Sequence, residues 1–199
     1  MLKRGKQNKK LGDKITIKMW KGMTMYSLTL EERATCPTDC EQWDNCYGDN
    51  MPFAHRFDHT DPDFIATLGQ QLHLLNEKHT EGFVVRLHVL GDFYSSEYIT
   101  AWDTWLDKFS NLNIFGYTHH RLSSELGADV DKLNQKHADR FRIRFSDDTT
   151  TDFSAHVTDT KAVLPTKGIM CPEQLGLTDS CATCGYCWSS KQPVVFIEH

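Results

Sequence analysis

The sequence predicts an α/β domain with a largely parallel sheet, wound as a partial (half) β/α barrel and followed by a cysteine-rich C-terminal extension. Three observations carry this. Short β-branched and apolar runs alternate with stretches of helical periodicity between residues 15 and 145, the pattern of βαβ units. There are too few such units for an eight-fold barrel, so right-handed crossovers give a curved half-barrel or an open sheet. The seven cysteines fall in two tight groups, with none from residue 47 to 170.

In chain order, residues 1–14 read as a basic flexible tail, since Lys3, Arg4, Lys6, Lys9 and Lys10 precede the first acidic residue, Asp13. A solvated, frayed terminus is the common use of such a stretch, and contact with nucleic-acid phosphate is the alternative. Residues 15–160 form the α/β core. Residues 15–20 and 23–30 alternate apolar and polar around Lys21-Gly22, predicting one or two strands, and a polar loop with Cys36, Cys40 and Cys46 follows. From Asp63, the residues Phe64, Leu68, Leu72 and Leu75 form a helical stripe. Residues 83–90 make a β-branched strand stopped by Gly91-Asp92. Ser95-Ser96 caps a helix that turns Tyr98, Trp102, Trp105 or Leu106, and Phe109 inward. Residues 112–118 are a strand closed by His119-His120; a helix covers 123–138; residues 141–145 are a strand that ends in Ser146-Asp147-Asp148. Residues 149–160 are polar and turn-rich. Residues 161–199 form the C-terminal four-cysteine segment, packed on the core, with short strands at 161–164 and 194–197.

A net charge of -5 argues against non-specific nucleic-acid binding by the chain as a whole. No apolar run has the length of a membrane span, and the basic start lacks the apolar stretch of a signal peptide, which predicts a cytoplasmic protein with no membrane partner. In a reducing compartment disulfides are disfavoured, and seven cysteines cannot all pair, so the thiols point to metal or redox chemistry.

Ligands of parallel α/β sheets bind beyond the carboxyl ends of the strands. Those ends here carry the Cys36–Cys46 loop, Gly91-Asp92, Thr118-His119-His120 and Ser146-Asp147-Asp148. Both cysteine groups and these exits are therefore expected to face one pocket. Asp92, His119 and Asp147 are the candidate catalytic residues, and Gly91, Asp92 and Thr118 the candidates for cofactor contact. For Asp92 the competing role is that of a turn cap before Ser95. His88 reads as a core or pocket-facing histidine. Arg86, Arg142 and Arg144 on strand faces require partners, either Asp147 or Asp148 or solvent.

Cys36, Cys40 and Cys46, spaced C-x3-C-x5-C, suit three corners of a [4Fe-4S] cluster with one open iron. A zinc ion completed by His55, His59 or a residue from another strand exit is the alternative. Cys181, Cys184 and Cys187 form a tight triplet with Cys171 as remote fourth ligand, a pattern typical of iron–sulfur proteins, with zinc again second. His199 is a further candidate ligand, or a solvated terminus.

The segments at residues 86–93, 114–118 and 184–188, with the leading cysteine loop and the closing Phe-x-x-His, resemble the "gene product eighty-eight" family of phage and prophage proteins over roughly residues 25–199. A wider similarity is to radical S-adenosylmethionine enzymes, in which a strand leads into a three-cysteine [4Fe-4S] loop. That resemblance implies Cys36, Cys40 and Cys46 as cluster ligands and places Gly91-Asp92 at the turn that contacts the methionine amine of the cofactor. Cys171, Cys181, Cys184 and Cys187 would hold an auxiliary cluster. The chain departs from the pattern in its x5 spacing before Cys46 and in having one glycine before Asp92. The functional expectation is a radical S-adenosylmethionine-like enzyme served by an electron donor and acting on an unidentified substrate. The alternatives are a zinc-stapled module contacting nucleic acid or a host protein, and an iron–sulfur protein that only transfers electrons.

Overall fold

The computed structural model describes residues 1–17, 19–158 and 168–198. The central strands form where the sequence alternates most regularly: β2 is Thr24–Ser27, β3 Phe83–Leu87, β4 Leu112–Thr118 and β5 Phe141–Ser146. Helices α1 (Phe64–Lys78), α2 (Ser96–Lys108) and α3 (Glu125–Lys136) connect them. Ser95 and Ser124 start α2 and α3 by accepting the amides of Tyr98 and Gly127, at 3.2 and 3.1 Å. Around this centre lie β1 (Lys3–Arg4), β6 (Ser154–Thr158), β7 (Ile169–Met170), the short helices α4 (Cys181–Cys184) and α5 (Tyr186–Ser189), and β8 (Val194–Ile197).

The eight strands make one open sheet in the order β1-β2-β3-β4-β5-β6-β8-β7. β1 runs antiparallel to β2 and every other pairing is parallel. Because β2 to β5 stand in sequence order, right-handed crossovers carry all three long helices to one face. The period of two then sorts the side chains. Val85, Ile114 and Ile143 join Leu68, Trp102 and Val130 of the helices in one core. Met25, Val84 and Phe115 face the opposite way and pack under Leu11, Ile15, Trp20, Ala182 and Trp188. Both faces are covered, which is why the strands read as near-continuous apolar runs. Among the described residues no helix is long and apolar enough to cross a membrane.

Two expectations change. Residues 1–14 are not a flexible tail: Lys3 and Arg4 pair with Ser27 and Tyr26, Leu11 is buried, and Arg4 binds both oxygens of Asp13 at 2.7 and 2.9 Å. The reason is long-range, since the Lys10 and Leu11 carbonyls accept the amides of Cys181 and Ala182 at the opposite end of the chain. Of the one or two strands expected over residues 15–30, one forms among the described residues, β2, while Ile15 and Trp20 are drawn beneath the C-terminal segment, where Trp20 stacks on Trp188 at 5.6 Å. Residues 154–158, read as turn-rich, form β6, held by full-length pairing with β8. The strand expected at 161–164 lies outside the described residues.

Gly116 is fixed by the closeness of β3 and β4. A Cβ there would lie 1.5 Å from the Leu87 carbonyl oxygen and 3.0 Å from Ile143 Cδ1. Gly116→Ala is expected to cost about 3 kcal/mol or more, the upper range for overpacking. Urea unfolding with an unchanged m-value would measure it; a loss below about 0.5 kcal/mol would mean the strands part freely.

Candidate metal and ligand site

The first cysteine loop is built by two arginines. Arg33, in the left-handed region at φ 63°, reaches across the loop to Asp49 at 2.7 and 2.9 Å and to the Trp43 carbonyl at 3.2 Å. Arg56 grips Glu32 at 2.6 Å and also the carbonyls of Gly48, Met51 and Ala54. Cys46 lies between the segments these two clamps fix. The base of the loop is tied to β3 through Thr35, whose hydroxyl accepts the Asp92 amide at 3.0 Å. Gly91, at φ 80°, is required there because a Cβ would meet Thr35 Oγ1 at 2.5 Å and Leu30 Cβ at 2.7 Å.

The strand exits divide into two kinds. Asp92 is 1% exposed, and its two carboxylate oxygens accept the amides of Phe93 and His119, each at 2.7 Å. It is a cap that binds two exits together, and it does not lie on the cavity wall. Thr118 is fully buried and caps His120 at 3.1 Å. His119 does line the cavity, as do Gly91 and Ser146. Asp147 sits in the left-handed region at φ 56°; one oxygen accepts the Val157 amide, and the other is buried without a partner among the described residues. Burial pushes the Asp147 carboxyl up, and its charge reaches Cys40.

The C-terminal thiols are placed by Arg144. Its guanidinium is 0% exposed and donates to the carbonyls of Cys187 (2.7 Å), Ser154 (3.0 Å), Gln192 and Ser190 (both 2.8 Å), and Tyr186 (3.5 Å). The carboxylates expected to pair with the strand arginines are engaged elsewhere, Asp147 with Val157 and Asp148 with Leu122 and Thr150. The ionisable groups that reach Arg144 are Cys187, Tyr117 and Tyr186. Arg142 likewise binds carbonyls, those of Trp188 and Ala138, at 3.0 Å. Of the basic arm, Arg4 and Lys10 are already paired, Lys10 with Glu173 at 3.6 Å.

The two groups of thiols meet across one cavity of about 280 Å³ at the carboxyl ends of the strands. Cys36, Cys40, Cys46, Cys171, Cys181 and Cys187 all line it, and between them lie Arg86, Tyr117, His88 and His119. Cys184 is off the wall but feels the charge of Cys171. Burial pushes Cys36 up to about 12 and Cys40 and Cys187 up to about 11, so these thiols are neutral near pH 7 until a metal displaces their protons. Tyr117 and Arg144 work against burial at Cys187, through a hydrogen bond and a positive charge.

The donor spacing tests which metal fits. Tetrahedral zinc–thiolate geometry, with bonds of about 2.3 Å, sets sulfurs roughly 3.8 Å apart. Among the described residues, the triplets of ligand atoms within 4.8 Å of one another are Glu31, Asp58 and His59, and Asp103, Asp107 and His137; neither contains a cysteine. Of the proposed zinc completers, His59 bonds Glu31 at 3.1 Å and His55 packs on Phe57 at 4.6 Å, while His119, from another strand exit, lines the cavity with the first three thiols. Sequence reasoning gave Arg144 and Arg86 no site role, since an arginine in an apolar strand does not announce which face it takes.

The family model described as gene product 88 matches residues 1–190, so the chain belongs to that family. No curated protein and no solved structure matches it.

Two outcomes follow from this geometry. Arg144→Met leaves the five carbonyls without their donor, and a loss of about 3–5 kcal/mol is expected, as when one member of a buried charged network is removed. Arg144→Lys, which keeps charge but not the fork, should fall between; urea midpoints within about 1 kcal/mol of wild type for Arg144→Met would remove the clamp from the account. The second concerns pH. The hydrogen bond from Arg56 holds the Glu32 carboxyl below its ordinary 4.5. A depressed folded value means the pair stabilises fully above 4.5 and weakens as pH falls through the folded value. Protection factors of the amides in residues 46–56, corrected for the intrinsic exchange rate at each pH, should therefore fall on acidification below that point, and protection unchanged to pH 3 would contradict it.

Proposed function

From the two cysteine groups and the cavity they share, we propose that the chain is an iron–sulfur enzyme of the radical S-adenosylmethionine-like type. The observation that carries the reading is that cysteines of both groups, all but Cys184, line one small cavity at the strand carboxyl ends. Cys36, Cys40 and Cys46 would hold one [4Fe-4S] cluster, and Cys171, Cys181, Cys184 and Cys187 a second. When bound, such clusters supply low-potential electrons, and the three-thiolate one also an open coordination position.

The chain's own residues do the rest. Arg33 and Arg56 hold the first loop in shape while its thiols lose their protons. Arg144 supplies positive charge beside Cys187, which lowers the cost of buried thiolates there. Leu90, Phe115 and Val157 give the wall an apolar surface that limits water. His119 is the wall histidine able to carry a proton, with its backbone fixed by Asp92. Asp147, strained and partly unpartnered, is a second proton carrier beside Cys40. Gly91 presents backbone to the cavity, the contact expected for S-adenosylmethionine. A half-barrel curl of the sheet would bring these exits round that ligand. The volume lies at the lower edge of small-molecule sites, roughly 300–1,000 Å³, and argues for a small ligand over a macromolecular one.

Anaerobic purification with iron, sulfide and zinc analysis tests the reading. About eight irons with equal sulfide and a brown absorption are expected. Cys36→Ala and Cys184→Ala should each lose about half of the iron, and reduction in the presence of S-adenosylmethionine should cleave it. About two zincs and a colourless protein would sink the proposal and return the zinc-stapled module. Full iron without cleavage would leave an electron-transfer protein.

A further inference from the structure

Arg86 stands on the cavity wall between the two thiol groups. Its Nη1 is held by the carbonyls of Leu87 and His88, the latter at 2.8 Å. The Leu87 carbonyl occupies the space that a Cβ at Gly116 would take. The guanidinium lies 4.5 Å from the Tyr117 ring and 5.6 Å from Phe115, which fix its plane. Nε and Nη2 have no acceptor among the described residues.

The other cations at the wall are spoken for. Arg33 pairs with Asp49 at 2.7 Å and Lys10 with Glu173 at 3.6 Å, while the wall acid Glu32 is taken by Arg56. Glu198 accepts from Asn45 at 3.2 Å, and no ion pair joins it to Arg86. A polar atom buried behind the wall is also left over. His88 is 4% exposed and lines the cavity; its Nε2 bonds the Tyr98 hydroxyl at 2.9 Å, and its Nδ1 finds no partner among the described residues. Burial pushes His88 down to about 3, so the ring is neutral. In the tautomer in which Tyr98 donates to Nε2, Nδ1 carries a proton; in the other, Nε2 donates to Tyr98 and Nδ1 is an acceptor.

A planar fork with one nitrogen anchored and one edge free matches the two oxygens of a carboxylate or phosphate. We propose that the cavity binds a small organic oxyanion, a carboxylate or a phosphate ester, through the free edge of Arg86. This names the substrate class of the reaction chamber proposed above and rests on that reading for its catalytic meaning. The binding itself requires no metal.

Inorganic phosphate and acetate, titrated calorimetrically into the full chain against chloride of equal ionic strength, test it. Saturable binding is expected for at least one of them, weakened about tenfold or more in Arg86→Gln. Acetate preference would assign a carboxylate, and phosphate preference a phosphate ester. Arg86→Lys should retain part of the binding, which keeps the test open if Arg86→Gln folds poorly, and Lys132→Gln on α3 should bind as wild type. No saturable binding to wild type, or equal binding to Arg86→Gln, overturns the inference. Iron is assayed on the same samples: iron-free protein that still binds anion sinks the cluster reading alone, and iron-loaded protein that binds none sinks this one alone.

Discussion

A guanidinium shut away from water, with no carboxylate paired to it among the described residues, holds this molecule together. Arg144 spends its donors on carbonyls of β6 and of the segment from Tyr186 to Gln192. Carbonyl dipoles satisfy its hydrogens but leave its charge uncancelled, and an uncancelled buried charge is expensive. The ring of Phe153, 4.4 Å away, offsets part of that cost. The remaining candidates for a counter-charge are the groups that reach it, Cys187 first among them. The arginine thus fixes the C-terminal thiols in place and favours their charged form.

That clamp sets the layout of the rest. With the long helices all on one face, the other face of the sheet needs a cover, and the C-terminal helices provide it through Trp188, packed 4.6 Å from Phe115. The N-terminal segment then fastens the cover from beneath: Gly12 approaches Ser180 so closely that a Cβ would lie 2.5 Å from its hydroxyl. The two ends of the chain are therefore parts of one lid, whose inner surface is the floor of the cavity. The opposite wall is the first cysteine loop, anchored through Thr35 to the turn at Gly91-Asp92. Thiols far apart in sequence face each other because a parallel sheet delivers every strand exit to the same edge.

The central units were legible because β2 to β5 and their helices are long enough to show a period, and Ser95 and Ser124 mark their starts as capping chemistry predicts. β1 and β7, at two residues each, and α4 and α5, at four, show none. They exist through partners distant in the chain, which no local window contains. At the site, spacing was enough to group the cysteines, and topology was enough to send both groups to one end of the sheet. Asp92 was harder. An acid after a strand-ending glycine serves equally as a ligand contact or as a cap, and only the positions of the Phe93 and His119 amides settle how its oxygens are used. The strand arginines were ambiguous for the same reason: their partners are carbonyls, and every residue has one.

The surroundings of the two thiol groups differ, and the difference bears on what they do. Structural zinc sites are closed by four protein ligands, whereas sites that work on a ligand keep a position open. The C-terminal group has four thiols, enclosed by Trp188, Tyr117 and Arg144. The first group has three, and the histidines nearest in sequence that might complete it are turned to Glu31 and Phe57. Two stapling zincs would want both groups closed alike. On the proposed reading the four-thiol group would be an electron store and the three-thiol group a reacting centre, and Arg86 stands on the wall of the cavity they share.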